Sequence, residues 1–188
     1  MANRMLTQVK IINLTPETHE KFLELFPTPE NNGTVDVLAN LNMIYGEEMQ
    51  EMDREWMSMN VGSTYMEIEY HQGIEFSSEV ELVISTNWTV PTEYLQEVAR
   101  VFGEIDDEVV LYGTYEDESF EPIGSFVYGY EYEDIEDLDI EVDEQEMMDD
   151  PEYNDDIFNQ LFEHRDAMYQ TYLEVKEEMD EEDEEEEE

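Results

Sequence analysis

A formal net charge of −47 on 188 residues limits what this chain can fold into. Fifty-four Asp and Glu face seven Lys and Arg, and their mutual repulsion opposes any compact state unless a large apolar set is buried against it. That set exists: hydrophobic residues make up 40% of the chain, with 12 Tyr, 8 Phe and 12 Met. A core is therefore expected, and the chain as a whole is not of the disordered, weakly hydrophobic type. Salt adaptation accounts poorly for the charge. Chains adapted that way favour small residues over bulky apolar ones, and this one holds only four Ala.

The charge also restricts partners. Anionic membranes, DNA and RNA repel such a chain, so basic proteins or cations are the partners its charge selects. No segment reaches the roughly 20 apolar residues of a membrane span. The first residues, Met-Ala-Asn-Arg-Met, lack a signal-peptide core, and a cytoplasmic location is expected. With no cysteine there is no disulfide, thiolate nucleophile or thiolate metal site.

Periodicity predicts an α+β chain. Leu6–Leu14 is β-branched and alternating, and reads as a strand. Thr15-Pro16 starts a helix that Pro27 ends, with Thr15 as N-cap and Pro16 in the first turn. Val35, Leu38, Leu41 and Tyr45, at near-helical spacing, give a second short helix or a turn. Tyr65–Tyr70, Glu79–Asn87, Glu108–Tyr115 and Gly124–Tyr132 read as strands, and Thr92–Phe102 as a helix. The expected architecture is an antiparallel sheet with helices on one face, followed by a C-terminal amphipathic helix and an acidic tail. Residues 1–132 form the expected main domain. Residues 133–179 supply an acidic strand and a long helix packed on it, and 180–188 a disordered polyacidic end.

Trp56-Met57-Ser58-Met59-Asn60-Val61-Gly62-Ser63-Thr64-Tyr65 resembles the Trp…Asn-Trp-Gly-Thr-Lys-Trp segment of YubB-like ferredoxin-fold proteins, small domains of plasmids and phages. Ile84-Ser85-Thr86-Asn87-Trp88-Thr89-Val90-Pro91 is similar to that family's Thr-Ala-Trp-Ser-Pro-Pro run. The chain departs from the pattern at Val61, Tyr65 and Val90. Over about residues 55–130, the resemblance implies a βαββαβ, ferredoxin-like arrangement and a viral or mobile-element origin, but no chemistry. Trp56 and Trp88 are expected to anchor the core.

No catalytic, cofactor or metal constellation stands out. His19, His71 and His164 are far apart in sequence, and Asp134–Asp139 lacks the central Gly and spaced terminal Glu of a calcium loop. There is no nucleophile elbow and no phosphate-cradling Gly loop, so the chain is not expected to be an enzyme.

What remains is ordered acidity. Residues 131–188 carry 29 acidic and 2 basic residues, and Glu177–Glu188 contains 11 carboxylates in 12 positions. Leu138-Asp139-Ile140-Glu141-Val142-Asp143 alternates strictly; as a strand it sets carboxylates about 6.6 Å apart on one face. Asp149-Asp150-Pro151 opens a long helix. Its stripe, Ile157, Leu161, His164, Met168, Tyr172, Val175 and Met179, would pack on the sheet or join two copies in a homodimer.

The function this pattern implies is that of a DNA mimic, a viral or phage inhibitor of a host nuclease, restriction or defence complex, or polymerase. Such a protein presents carboxylates where the target expects phosphates. The alternative is an acidic chaperone acting through a flexible tail. The residues expected to carry mimicry are Asp134, Glu136, Asp137, Asp139, Glu141, Asp143 and Glu144, then Asp149, Asp150, Asp155 and Asp156.

Overall fold

The computed structural model describes residues 3–28, 33–70, 75–140, 142–143 and 151–186, with side chains as far as Met179. Six strands form one antiparallel sheet: β1 (Arg4–Ile12), β2 (Met66–Glu69), β3 (Glu79–Asn87), β4 (Val110–Asp117), β5 (Ile123–Gly129) and β6 (Tyr132–Asp137). The helices among the described residues are α1 (Pro16–Leu25), α2 (Val37–Tyr45), α3 (Arg54–Asn60), α4 (Thr92–Gly103) and α5 (Pro151–Glu186). Strand order across the sheet is β2-β3-β1-β4-β5-β6. β3 enters between β1 and β2, and β4 adds on the far side of β1, antiparallel to it.

Local sequence explains most element starts. Thr15 caps α1 in a reciprocal box: its hydroxyl accepts the Thr18 N–H at 3.3 Å, and the Thr18 hydroxyl accepts the Thr15 N–H at 2.8 Å. Asp36 and Asp53 cap α2 and α3 through their carboxylates. In β1, Met5, Val9 and Ile11 point to the face on which Phe22, Leu25, Leu41, Val98 and Phe102 of the first four helices pack. Within this layer lies a buried polar relay. The Tyr94 hydroxyl donates to Asn40 Oδ1 at 2.8 Å, and Asn40 Nδ2 donates to the Leu25 carbonyl at 2.7 Å. An Asn40→Leu substitution orphans both partners, each costing about 1–3 kcal/mol. The expected loss, read from the urea midpoint, is therefore about 3 kcal/mol, against about 1–2 kcal/mol for Tyr94→Phe, which orphans only the buried Asn40 Oδ1.

Several sequence expectations are corrected. The first four helices lie on one face, as expected, and the C-terminal helix, for which no face was expected, lies on the other. α1–α4 cover one side, while α5 packs on the other across β4 and β5, because these two strands bury both faces. Val110, Val127 and Ile123 meet Met168, Tyr172, Ile157 and Leu161 of α5 there, and Tyr169 stacks on Tyr112 at 4.8 Å. Of the apolar stripe, Ile157, Leu161, Met168 and Tyr172 thus face the chain's own sheet, while Met179 is exposed. Gly124–Tyr132 is not one strand: the chain turns at Tyr130-Glu131, with Glu131 at φ 58°, and returns as β6. The expected acidic strand at Leu138–Asp143 lies just beyond β6, and residues 138–140 form no strand. The alternation still holds, since Leu138, Ile140 and Val142 pack on Ile123, Ile157 and Leu161 while Asp139 and Asp143 face outward. α3, which no periodicity announced, is a seven-residue helix begun by the Asp53 cap. Trp88 is not a core anchor but 59% exposed, because at the end of β3 its backbone turns left-handed (φ 71°) and breaks the alternation that would bury it. Trp56 is half-buried, edge-on to Tyr45 at 5.1 Å. Finally, α5 continues to Glu186, past Met179, where a disordered end was expected. Glu is a good intrinsic helix former, and a helix already nucleated on the sheet extends at low cost.

Candidate functional site

The acidic residues singled out in the sequence fall into three places. Asp134, Glu136 and Asp137 lie on β6, the last strand of the sheet, and do not form a single row. Period-two alternation turns Asp134 and Glu136 towards α5, where Glu136 Oε2 stands 3.5 Å from His164 Nε2. Asp137 points to the other face and accepts the Tyr115 hydroxyl at 2.6 Å. Burial, then the neighbouring Glu136 charge, raises the Asp134 pKa. Burial, then the Asp137 bond, raises that of Tyr115. Asp139 and Asp143 are exposed on the segment that leads to the helix, and the Asp143 N–H donates to the Tyr153 hydroxyl at 3.0 Å. Glu141, Glu144, Asp149 and Asp150 lie outside the described residues. Asp155 and Asp156 are exposed on the first turns of α5.

The largest ordered array is on α5 itself. Glu152, Asp156, Glu163, Asp166, Glu174 and Glu177 are all exposed, and at 3.6 residues per turn they fall within an arc of about 80°. Asp155 and Glu178 flank them. At 1.5 Å rise per residue the eight span about 39 Å, close to one carboxylate per 5 Å, against about 3.4 Å of axis per phosphate on one DNA strand. The array is sparser than a phosphate strand, with gaps of about 10 Å from Asp156 to Glu163 and about 12 Å from Asp166 to Glu174, but of similar length scale.

Of the groups on α5 that carry or can carry positive charge, His164 and Lys176 turn away from this row, while Arg165 pairs with one of its members. Lys176 Nζ bonds Glu108 Oε1 at 2.7 Å, and His164 faces β6. Arg165 lies over the rings of Tyr112 and Phe162, at 5.6 and 5.1 Å from their centroids, while reaching Asp166 at 2.7 Å. Packing holds the row in place from behind. A Cβ on Gly129 would lie 2.8 Å from the Tyr172 ring, so helix and strand are in close contact at that point. Of this row the sequence reading named Asp156 as a site and missed Glu152 and Glu177. The i, i+3/i+4 spacing opposite the apolar stripe was the available signal.

Among the described residues no group of three or more His, Asp or Glu is arranged to hold a metal ion, and no helix is long and apolar enough to cross a membrane. No family model, curated protein or solved structure matches the chain.

Proposed function

We propose that this protein is a folded nucleic-acid mimic that occupies the basic site of a nucleic-acid-binding protein, such as a nuclease, a restriction or defence complex, or a polymerase, and inhibits it by charge competition. The observation that carries this reading is the segregation of charge on α5: an outer row of carboxylates, with His164 and Lys176 turned to the sheet and Arg165, stacked on Tyr112 and Phe162, as the one cation that reaches the row, at Asp166. A flexible acidic tail offers charge without geometry. A helix pinned along its length to a sheet offers both, so the ordering entropy is met in folding rather than in binding. Glu136 on the α5 side of β6 and the exposed Asp139 and Asp143 add negative charge beside the helix.

The βαββαβ connectivity and the order β4-β1-β3-β2 of the first four strands support a ferredoxin-like reading of residues 4–117, with the β5–β6 hairpin and α5 added at its β4 edge. That reading agrees with the fold which the YubB-like resemblance implies, and with it a phage or plasmid origin and a site of action in the host cytoplasm.

The test is capture from a bacterial lysate on the immobilised chain, with parallel elution by salt and by duplex DNA or RNA. One or two nucleic-acid-binding proteins, retained at moderate salt and released by the duplex, are the expected result, with log affinity falling linearly with log salt. A broad set of basic proteins leaving together at low salt, indifferent to the duplex, would sink the proposal.

A further inference from the structure

A second feature lies on the opposite face of the sheet from α5. Between α4 and the β5–β6 hairpin runs an open cleft of about 660 Å³, within the roughly 300–1,000 Å³ usual for ligand sites. Its walls carry five carboxylates, among them Glu93, Glu97 and Glu133, against one cation, Arg100, which already bonds Glu97 at 2.6 Å. One end is closed where the Tyr130 ring packs on Gly103, so closely that a Cβ there would sit 2.4 Å from the ring. Towards the other end of β6 a shallower depression of about 370 Å³ follows, bounded by Trp88, Ile135 and Asp137. Glu133, Ile135 and Asp137 alternate along the same side of β6, so the two depressions lie end to end along that strand, as a channel in two parts. Beyond β6 the sheet has no further strand among the described residues.

Trp88 stands at the open mouth. It is 59% exposed, and its backbone is held there: the main-chain N–H donates to the Asn3 carbonyl at 3.1 Å, and the Thr86 hydroxyl donates to the Thr89 carbonyl at 2.6 Å. An exposed tryptophan fixed beside a carboxylate fits one chemistry better than any other. A guanidinium stacks flat on the indole while its edge pairs with Asp137, and the carboxylates and tyrosines deeper in the channel repeat that pairing. Charge complementarity excludes an acidic or nucleic-acid occupant. The field inside is negative: burial, then Glu133 and Glu93, holds the Tyr128 hydroxyl well above its usual pKa.

We propose that this channel is a docking groove for an extended, arginine-bearing segment of a basic protein, with Trp88 as its aromatic anchor. The inference deepens the mimicry reading by assigning the partner a contact separate from the helix row, and rests on that reading only for the partner's identity.

The probe is the blocked peptide Gly-Arg-Thr-Arg-Thr-Arg-Gly, titrated into the full chain carrying Trp56→Phe, so that fluorescence reports Trp88 alone. Binding should quench or shift that emission. Trp88→Ala, followed by calorimetry, should weaken binding at least tenfold, and so should Gln96→Trp, which fills the cleft at an exposed position without changing charge. A lysine version of the peptide should bind several-fold more weakly. Neutralising Glu152, Asp156 and Glu163 on α5 should change affinity less than threefold, with circular dichroism confirming that each variant folds. Equal losses from the α5 and channel variants, or no measurable binding in 50 mM salt, would overturn the groove. The peptide assay contains no nucleic-acid-binding target. Peptide binding without duplex-sensitive capture would therefore reject mimicry and leave the groove, and the converse would reject the groove alone.

Discussion

Gly113→Ala is expected to leave the protein largely unfolded. Gly113 sits in β4 opposite Val9 of β1 and Phe126 of β5, at the centre of the sheet. A Cβ added there would lie 1.9 Å from the Gln8 carbonyl oxygen and 2.8 Å from the Phe126 ring. The oxygen belongs to the main chain of a neighbouring strand, so relief requires β1 and β4 to separate, and the ladder between them is one of the longest in the fold. A loss above about 4 kcal/mol is expected, set against a total of about 5–15 kcal/mol for a typical domain and, here, the added self-repulsion of a net charge of −47. The check is far-UV circular dichroism with urea titration in 0.5 M salt, where screening gives the variant its best chance. Gly46→Ala serves as the comparison, because nothing lies within 4 Å of that Cβ and only the left-handed backbone (φ 66°) opposes it. Its expected cost is about 1 kcal/mol. A Gly113→Ala protein that melts within 1 kcal/mol of the parent would mean that β1 and β4 are not in this register.

The features legible from sequence are those with a local cause. β3 matches its predicted span, Glu79–Asn87, because alternation and flanking breakers act within a few residues. α1 follows from Thr15, Pro16 and Pro27 for the same reason. What was not legible depends on distant partners. The Tyr130-Glu131 turn contains neither Gly nor Pro, and its left-handed Glu131 is held by a hairpin whose tip Tyr130 docks on Gly103 of another element. That missed turn displaced the acidic strand from 132–137 to 138–143, so the sides that Asp134, Glu136 and Asp137 take on β6 were not legible. The side of the sheet that α5 covers was likewise not written in α5. It follows from β4 and β5, which bury residues on both faces, a pattern that reads in sequence only as an unusually apolar strand. Trp88 shows the same limit at one residue: composition places a tryptophan inside, and a single backbone torsion puts it outside.

Neutralising the helix row should weaken the duplex-displaceable complex by at least 100-fold, while removing the acidic end should cost less than tenfold. The row variant carries Glu152→Gln, Asp156→Asn, Glu163→Gln, Asp166→Asn, Glu174→Gln and Glu177→Gln; the truncation ends at Met179 and removes Asp180–Glu188. The truncation removes nine carboxylates and the row variant only six, so counted charge predicts the opposite ranking. Geometry decides for the row, because its carboxylates sit on a helix held against β4 and β5 and meet a basic surface without further ordering. Folding does not confound the comparison. The six residues are exposed, and relief of like-charge pairs such as Glu152 and Asp156, one turn apart, offsets the loss of the exposed Asp166–Arg165 pair, with circular dichroism of the variant as the check that it folds. The slope of log affinity against log salt should also flatten in the row variant, by up to about 0.9 for each ion pair lost if the target releases counterions as it does on DNA. If instead the truncation abolishes capture and the row variant keeps it, the ordered helix is only a stem, and the protein works as an acidic chaperone through its end. The two variants thus separate a molecule whose charge is arranged from one whose charge is merely abundant.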